Sequence, residues 1–133
     1  MATAFQAPAH DSYDVVLVGG AMIGSSIAWF LSANPDFTGR VLVVERDPTY
    51  EFASTSRTNS CIRQQFSTDA NIAISRFSAS FIKDFRAQLG GDPEIPDITL
   101  QPFGYMYLAA DEAFADVLRA CRDIQVAQGA ETR

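Results

Sequence analysis

A glycine-rich segment between positions 19 and 24 carries the clearest chemical pattern in the sequence. Gly19, Ala21 and Gly24 stand at the glycine positions of the GxGxxG pattern, which follows a strand and opens a helix in dinucleotide-binding domains. The first glycine permits a tight turn, a small second residue lets the backbone approach a pyrophosphate, and the third allows close packing of helix and strand. The helix N-terminus offers N–H groups and a partial positive charge. The segment therefore predicts a diphosphate site formed by Gly19, Gly20, Ala21 and Gly24, although Ala21 departs from the glycine of the pattern.

An acidic residue follows at the spacing that such a site requires. Glu45 lies 21 residues after Gly24 and directly follows an apolar run. A carboxylate at the end of the second strand accepts hydrogen bonds from the ribose hydroxyls of an adenosine and disfavours a 2′-phosphate, which argues against NADP. The alternative without a ligand is an ordinary glycine-rich turn, with Glu45 a solvent-exposed residue at the end of a strand. The pattern itself leaves FAD and NAD open.

The elements that must position these residues are evident from hydrophobic periodicity. The apolar run 13–18 predicts a strand buried on both faces. Residues 22–33 have helical spacing and end at Asn34-Pro35, and 41–44 predict a second buried strand. The two strands should be parallel and joined by a right-handed crossover. The fold class is therefore α/β, with a Rossmann-like FAD/NAD(P)-binding βαβ domain: a parallel sheet with flanking helices.

The rest of the chain alternates polar and periodic segments. Residues 46–66 are rich in serine and threonine and suit a polar ligand. Residues 69–89 predict a helix with one apolar stripe facing the core, made of Ile74, Phe77, Phe81 and Phe85. Residues 99–109 predict a strand broken near Pro102, and 111–128 a final amphipathic helix.

Three regions follow from this pattern. We expect a flexible N-terminal arm over 1–12, the cofactor-binding domain over 13–98 and the start of a second, substrate-binding domain over 99–133. Because two strands and a few helices make a poor closed core, we expect the chain to be the N-terminal piece of a longer protein.

Composition excludes several classes of function. The net charge is −6 and Lys83 is the single lysine, so a nucleic-acid partner is not expected. Cys61, Cys121 and His10 form neither a disulfide framework nor a metal set. We expect a reducing, cytoplasmic compartment. The uncharged stretch 15–35 is interrupted by glycine and serine, so no membrane span is expected.

Four segments resemble one family of flavoproteins. Residues 13–31 and 41–47, with the serine-rich stretch 54–67 and the aromatic stretch 103–109, are similar to the D-amino-acid oxidase superfamily. Within it, the sequence most resembles the branch of sarcosine oxidase, glycine oxidase and dimethylglycine dehydrogenase. The stretch 54–67 is the more specific part of this likeness, since the opening motif is common to many flavoproteins.

The resemblance implies an FAD-dependent oxidoreductase of two domains. Such an enzyme oxidises the C–N bond of an amino acid or secondary amine by hydride transfer to flavin, and the imine then hydrolyses. Electrons could pass to oxygen or to a carrier. The implied cofactor residues are Gly19, Ala21, Gly24, Glu45 and Arg46 for the adenine and pyrophosphate half, with Ser54, Thr55 and Ser56 near the phosphates or the ribityl chain.

The resemblance also singles out Arg63 as the candidate catalytic residue. The matching arginine in that branch lies beside the flavin and helps hold the substrate carboxylate, a role that suits the bidentate fork of a guanidinium. The alternative is a surface arginine paired with Asp69. Two other functions stay open. One is an NAD-dependent dehydrogenase. The other is a non-catalytic flavoprotein that assists respiratory-complex assembly, since residues 64–67 are similar to the same run in such proteins.

Overall fold

The computed structural model describes residues 7–133. The predicted arm over 1–12 therefore lies partly outside the described residues. The chain forms two compact units, the first reaching Ser60 and the second covering Cys61–Arg133. Each unit is described by itself.

The first unit is the predicted strand–helix–strand arrangement. Strand β1 covers Val15–Val18, helix α1 Met22–Ala33 and strand β2 Val41–Val44. The strands are parallel, with Val15 beside Val41 and Val18 beside Val44. Valine-rich runs favour strands because branched side chains pack well on a pleated surface. The bounds of α1 and β2 match the prediction, whereas β1 begins two residues later than the predicted run.

The strands are less buried than the sequence predicts. Along β1, Val15 and Leu17 are half-buried, whereas Val16 and Val18 are 53% and 88% exposed. This alternation means that one face of the strand is covered better than the other. The prediction of burial on both faces is therefore wrong for the described residues.

The second unit is helical. Helix α2 covers Asp69–Lys83, the short helix α3 Phe85–Gln88 and helix α4 Glu112–Ala127. The single helix predicted over 69–89 is thus divided at Asp84, whose backbone leaves the helical region with φ −107° and ψ 26°. The predicted final helix is confirmed to within one residue at each end.

The predicted strand over 99–109 is absent from the structure. Within the described chain the sheet has two strands, β1 and β2, and residues 97–109 carry no regular secondary structure. A strand requires a neighbour for its N–H and C=O groups, Pro102 lacks a backbone N–H, and Gly104 has a φ of 77°. Residue types that favour strands are therefore not enough to form a strand here, because this segment has no neighbouring strand to pair with.

The core of the second unit forms on a different face of α2 than expected. Ile72 is fully buried and Ala79 nearly so, whereas Ile74 and Phe77 of the predicted stripe are 62% and 58% exposed and its Phe81 and Phe85 are half-buried. The buried amide of Gln125 on α4 donates to the carbonyl oxygen of Phe66 at 3.0 Å. Helix α2 therefore contributes a small apolar core, and α4 contributes a buried polar group whose hydrogen bond is satisfied.

We expect Ile72→Ala to destabilise the chain by about 2–5 kcal/mol, because it removes buried methyl groups and leaves a cavity. Ile74→Ala makes the same change on the same helix at an exposed position, and should stay within about 0.5 kcal/mol of the parent. Chemical denaturation followed by circular dichroism measures both. Equal effects of the two substitutions would contradict the observed face of α2.

Candidate functional site

The turn between β1 and α1 requires glycine at two positions. Gly19 has a φ of 101°, a left-handed conformation that residues with a side chain rarely adopt. At Gly24 a Cβ atom would overlap the carbonyl oxygen of Gly19 and lie 3.0 Å from its carbonyl carbon. The first turn of α1 therefore lies directly against the end of β1, as the motif predicts.

The N-terminus of α1 is open to an anion. Ala21 is the N-cap residue and provides no side-chain hydrogen bond, and no acidic residue lies in the first turn. The N–H of Ser25 makes the first bond of the helix, to the carbonyl oxygen of Ala21 at 2.9 Å. The N–H groups of residues 22–24 thus have no acceptor within the helix. With the positive end of the helix dipole, they suit a diphosphate.

Glu45 joins the end of β2 to this turn. One carboxylate oxygen, Oε1, accepts the N–H of Asp47 at 2.8 Å, and the other, Oε2, accepts the N–H of Gly20 at 2.7 Å. The backbone N–H groups of Asp47 and Gly20 hold the pKa of the Glu45 carboxyl below its usual value. The group is therefore ionised at neutral pH, and each oxygen retains a lone pair for a hydroxyl donor.

A cleft of about 980 Å³ lies at this end of the first unit. This volume is at the upper end of the range usual for ligand pockets. Most of the candidate cofactor residues line the cleft: Gly19, Ala21, Gly24, Glu45, Arg46, Ser54 and Thr55. Gly20 is buried, bound through its N–H to Glu45, and Ser56 is exposed and not part of the lining.

The cleft also includes aromatic residues that the sequence did not single out. Tyr50 and Phe52 line it, and the guanidinium of Arg57 lies 4.6 Å from the centre of the Phe52 ring. Consecutive turns fold this segment back, through bonds such as that from the N–H of Ala53 to the carbonyl oxygen of Tyr50 at 3.0 Å. The available signal was two aromatic residues within an otherwise polar segment.

Arg63 belongs to the second unit, where its guanidinium has two aromatic neighbours. Nη1 donates to the hydroxyl of Tyr107 at 2.7 Å, and Cζ lies 4.8 Å from the centre of the Phe66 ring. The side chain is exposed. Phe66 and Tyr107, rather than Asp69, are thus the partners of Arg63, which contradicts the alternative of a surface ion pair with Asp69.

Residues 7–133 bring together no group of three or more His, Cys, Asp or Glu residues able to hold a metal ion. The helices of this part of the chain are all too short or too polar to cross a membrane.

The parallel strands, the glycine contact, the open helix N-terminus and the acid after β2 define a dinucleotide-binding domain. Residues 14–133 match the model of the FAD dependent oxidoreductase family, DAO. The chain therefore belongs to this family, and its cofactor is FAD. The family match decides between the two dinucleotides that the glycine pattern leaves open.

Several relatives share the name "FAD-dependent oxidoreductase domain-containing protein 1". The chain is 42% identical to the protein of Xenopus laevis, over 89% of this chain and 24% of that relative. It is 44% identical to the protein of Bos taurus, over 77% of this chain and 22% of that relative. A homologue from Drosophila melanogaster is 36% identical over 88% and 22%. The chain thus spans about a quarter of the length of these relatives. No solved structure is a significant match.

We expect Gly24→Val to abolish FAD binding, because its side chain would push α1 away from Gly19 and displace the N–H groups of the turn. The control is Ser32→Val, an exposed position near the other end of the same helix. Flavin content is measured by absorbance after purification. A Gly24→Val protein with stoichiometric flavin would show that the turn does not hold the cofactor.

Glu45 should make the stability of the turn depend on pH. Because its folded-state pKa lies below the ordinary value of 4.5, the stabilisation is complete above about that pH and is lost as the pH falls through the folded pKa. Glu45→Gln should therefore lose less stability than the parent between about pH 5 and pH 3. Unfolding midpoints measure this, and Glu51→Gln, at an exposed position, controls for net charge. Parallel pH profiles for the parent and Glu45→Gln would contradict the role of these backbone bonds.

Proposed function

We propose that the complete protein oxidises the C–N bond of an amino acid or secondary amine. The support is the resemblance of residues 54–67 and 103–109 to the branch of sarcosine and glycine oxidases, together with the exposed guanidinium of Arg63. When bound, FAD supplies the acceptor for the hydride from the substrate α-carbon, and the imine product hydrolyses in water. We further propose that 13–98 serve the cofactor and that 99–133 begin the substrate domain.

The first unit provides groups suited to each part of the dinucleotide. The N–H groups at the start of α1 would bind the diphosphate. Glu45, ionised and fixed by two backbone bonds, would accept the ribose hydroxyls. Arg46, Ser54, Thr55 and Ser56 add polar donors along the same segment, three of them in the lining of the cleft.

The surroundings of Arg63 support its proposed role with a substrate carboxylate. A guanidinium carries five N–H donors in one plane, and Tyr107 takes one of them. The remaining donors can bind both oxygens of a carboxylate. The face of the Phe66 ring restrains the plane of the group. The single observation that carries the proposal is therefore an exposed arginine fork held by two aromatic side chains.

We expect Arg63→Lys to lower kcat/KM for an amino-acid substrate about tenfold or more, which corresponds to about 1.4 kcal/mol. A lysine keeps the charge but cannot form two parallel hydrogen bonds with a carboxylate. The FAD content should stay normal. Turnover with sarcosine, proline and D-amino acids, followed by flavin bleaching, is the measurement.

Arg76→Lys is the matched control, since Arg76 is also exposed and hydrogen-bonded, through Nη1 to the carbonyl oxygen of Gln128, and does not line the cleft that contains Arg63. It should leave kcat/KM unchanged. Kinetics unaffected by Arg63→Lys and by Arg63→Ala would remove Arg63 from the substrate site. Full flavin content without turnover of any of these compounds would instead favour the non-catalytic alternative.

A further inference from the structure

Tyr50 has a backbone conformation that is unusual for a bulky residue. Its φ is 56°, and the other described non-glycine residue with a positive φ is Ser60, at 55°. A left-handed backbone is disfavoured for side chains of this size, and such strain is concentrated at ligand sites. Two turn bonds hold it: the N–H of Tyr50 donates to Asp47, and the N–H of Ala53 donates to Tyr50, each at 3.0 Å.

The phenol of Tyr50 lies against the glycine-rich turn. A Cβ atom on Gly20 would be 3.0 Å from the Tyr50 hydroxyl, 3.3 Å from Cγ1 of Val43 and 3.4 Å from Cβ of Glu45. A side chain at position 20 would thus force the hydroxyl to shift by a few tenths of an ångström. The GxGxxG pattern does not require glycine at its second position. The contact with Tyr50 is therefore a separate physical reason for glycine at position 20.

This contact places Tyr50 beside the ribose-binding acid. The Tyr50 side chain lines the same cleft as Glu45, and the residue is 37% exposed. An acid at the end of the second strand binds the adenosine ribose. The ring therefore flanks the adenosine end of the cleft, where a flat aromatic surface suits a purine.

We propose that Tyr50 contacts the adenosine half of FAD, with its ring packed against the adenosine and its hydroxyl seated on Gly20. The inference depends on FAD binding in this cleft and not on amine oxidation. Removal of an aromatic ring that stacks on a base weakens binding by about fivefold or more. The strained backbone of Tyr50 has a function in this proposal, because it directs the ring toward the turn.

The test uses the complete protein after removal of its flavin. Tyr50→Gly removes the ring and accepts the left-handed backbone, and Ser60→Gly makes the same backbone exchange without removing a ring. FAD affinity is measured by quenching of flavin fluorescence, and ADP affinity by calorimetry. We expect Tyr50→Gly to lower the affinities for FAD and for ADP by similar factors of about five or more. Ser60→Gly should change neither affinity.

The unfolding midpoint of Tyr50→Gly should be unchanged or raised, because glycine relieves the strain. Affinities for FAD and ADP equal to those of the parent would overturn the proposal. A lower affinity for FAD with an unchanged affinity for ADP would also overturn it, because the ring would then contact the flavin half. Tyr50→Asn, which also accepts a left-handed backbone, repeats the test if the glycine variant unfolds. If both variants unfold, Tyr50 is needed for folding and the proposal fails.

Failure of this inference can be distinguished from failure of the cofactor site or of the proposed reaction. Flavin lost from Gly24→Val but retained at full affinity by Tyr50→Gly overturns the role of Tyr50 alone. Flavin content and FAD affinity both report binding, so an absence of amine oxidation leaves them unaffected.

Discussion

The close approach of helix α1 to the preceding turn is the constraint on which the cofactor site depends. A side chain at Gly24 would overlap the carbonyl oxygen of Gly19, so the first turn of the helix lies directly on the end of β1. This contact fixes the direction of the N–H groups at 22–24, and with it the place where a diphosphate can bind. The positive φ of Gly19 is part of the same geometry, because the chain must reverse sharply to start the helix there.

Gly20 connects the other parts of the cleft to this turn. Its N–H is bound by Glu45 and its carbonyl oxygen accepts the hydroxyl of Ser25, while its missing side chain leaves room for the Tyr50 hydroxyl. Strand β2, helix α1 and the segment after β2 therefore meet at one buried residue. The acid proposed to bind ribose and the turn proposed to bind diphosphate thus keep a fixed spacing.

In the second unit, three separate stretches determine the orientation of Arg63. Tyr107 accepts its hydrogen bond, Phe66 lies under its guanidinium, and Gln125 on α4 binds the carbonyl oxygen of Phe66. Gln125 is 5% exposed, and a buried amide without a partner would be costly. The bond from α4 therefore restrains the backbone that carries the Phe66 ring. Helix packing and the proposed site of Arg63 are connected through this amide.

The sequence by itself determined the parallel strands, the helix between them and the glycine-rich turn, because each depends on local periodicity and on backbone freedom at single positions. It failed for residues 99–109, where a strand needs a distant partner, and for part of α2, where Ile72 is fully buried while Ile74 and Phe77 of the predicted stripe are exposed. Only the tertiary structure placed Tyr50 on the glycine turn and gave Arg63 its aromatic partners. The contacts of Tyr50 with the glycine turn and of Arg63 with Tyr107 join segments far apart in the chain, and no local pattern encodes which side chains meet across such a distance.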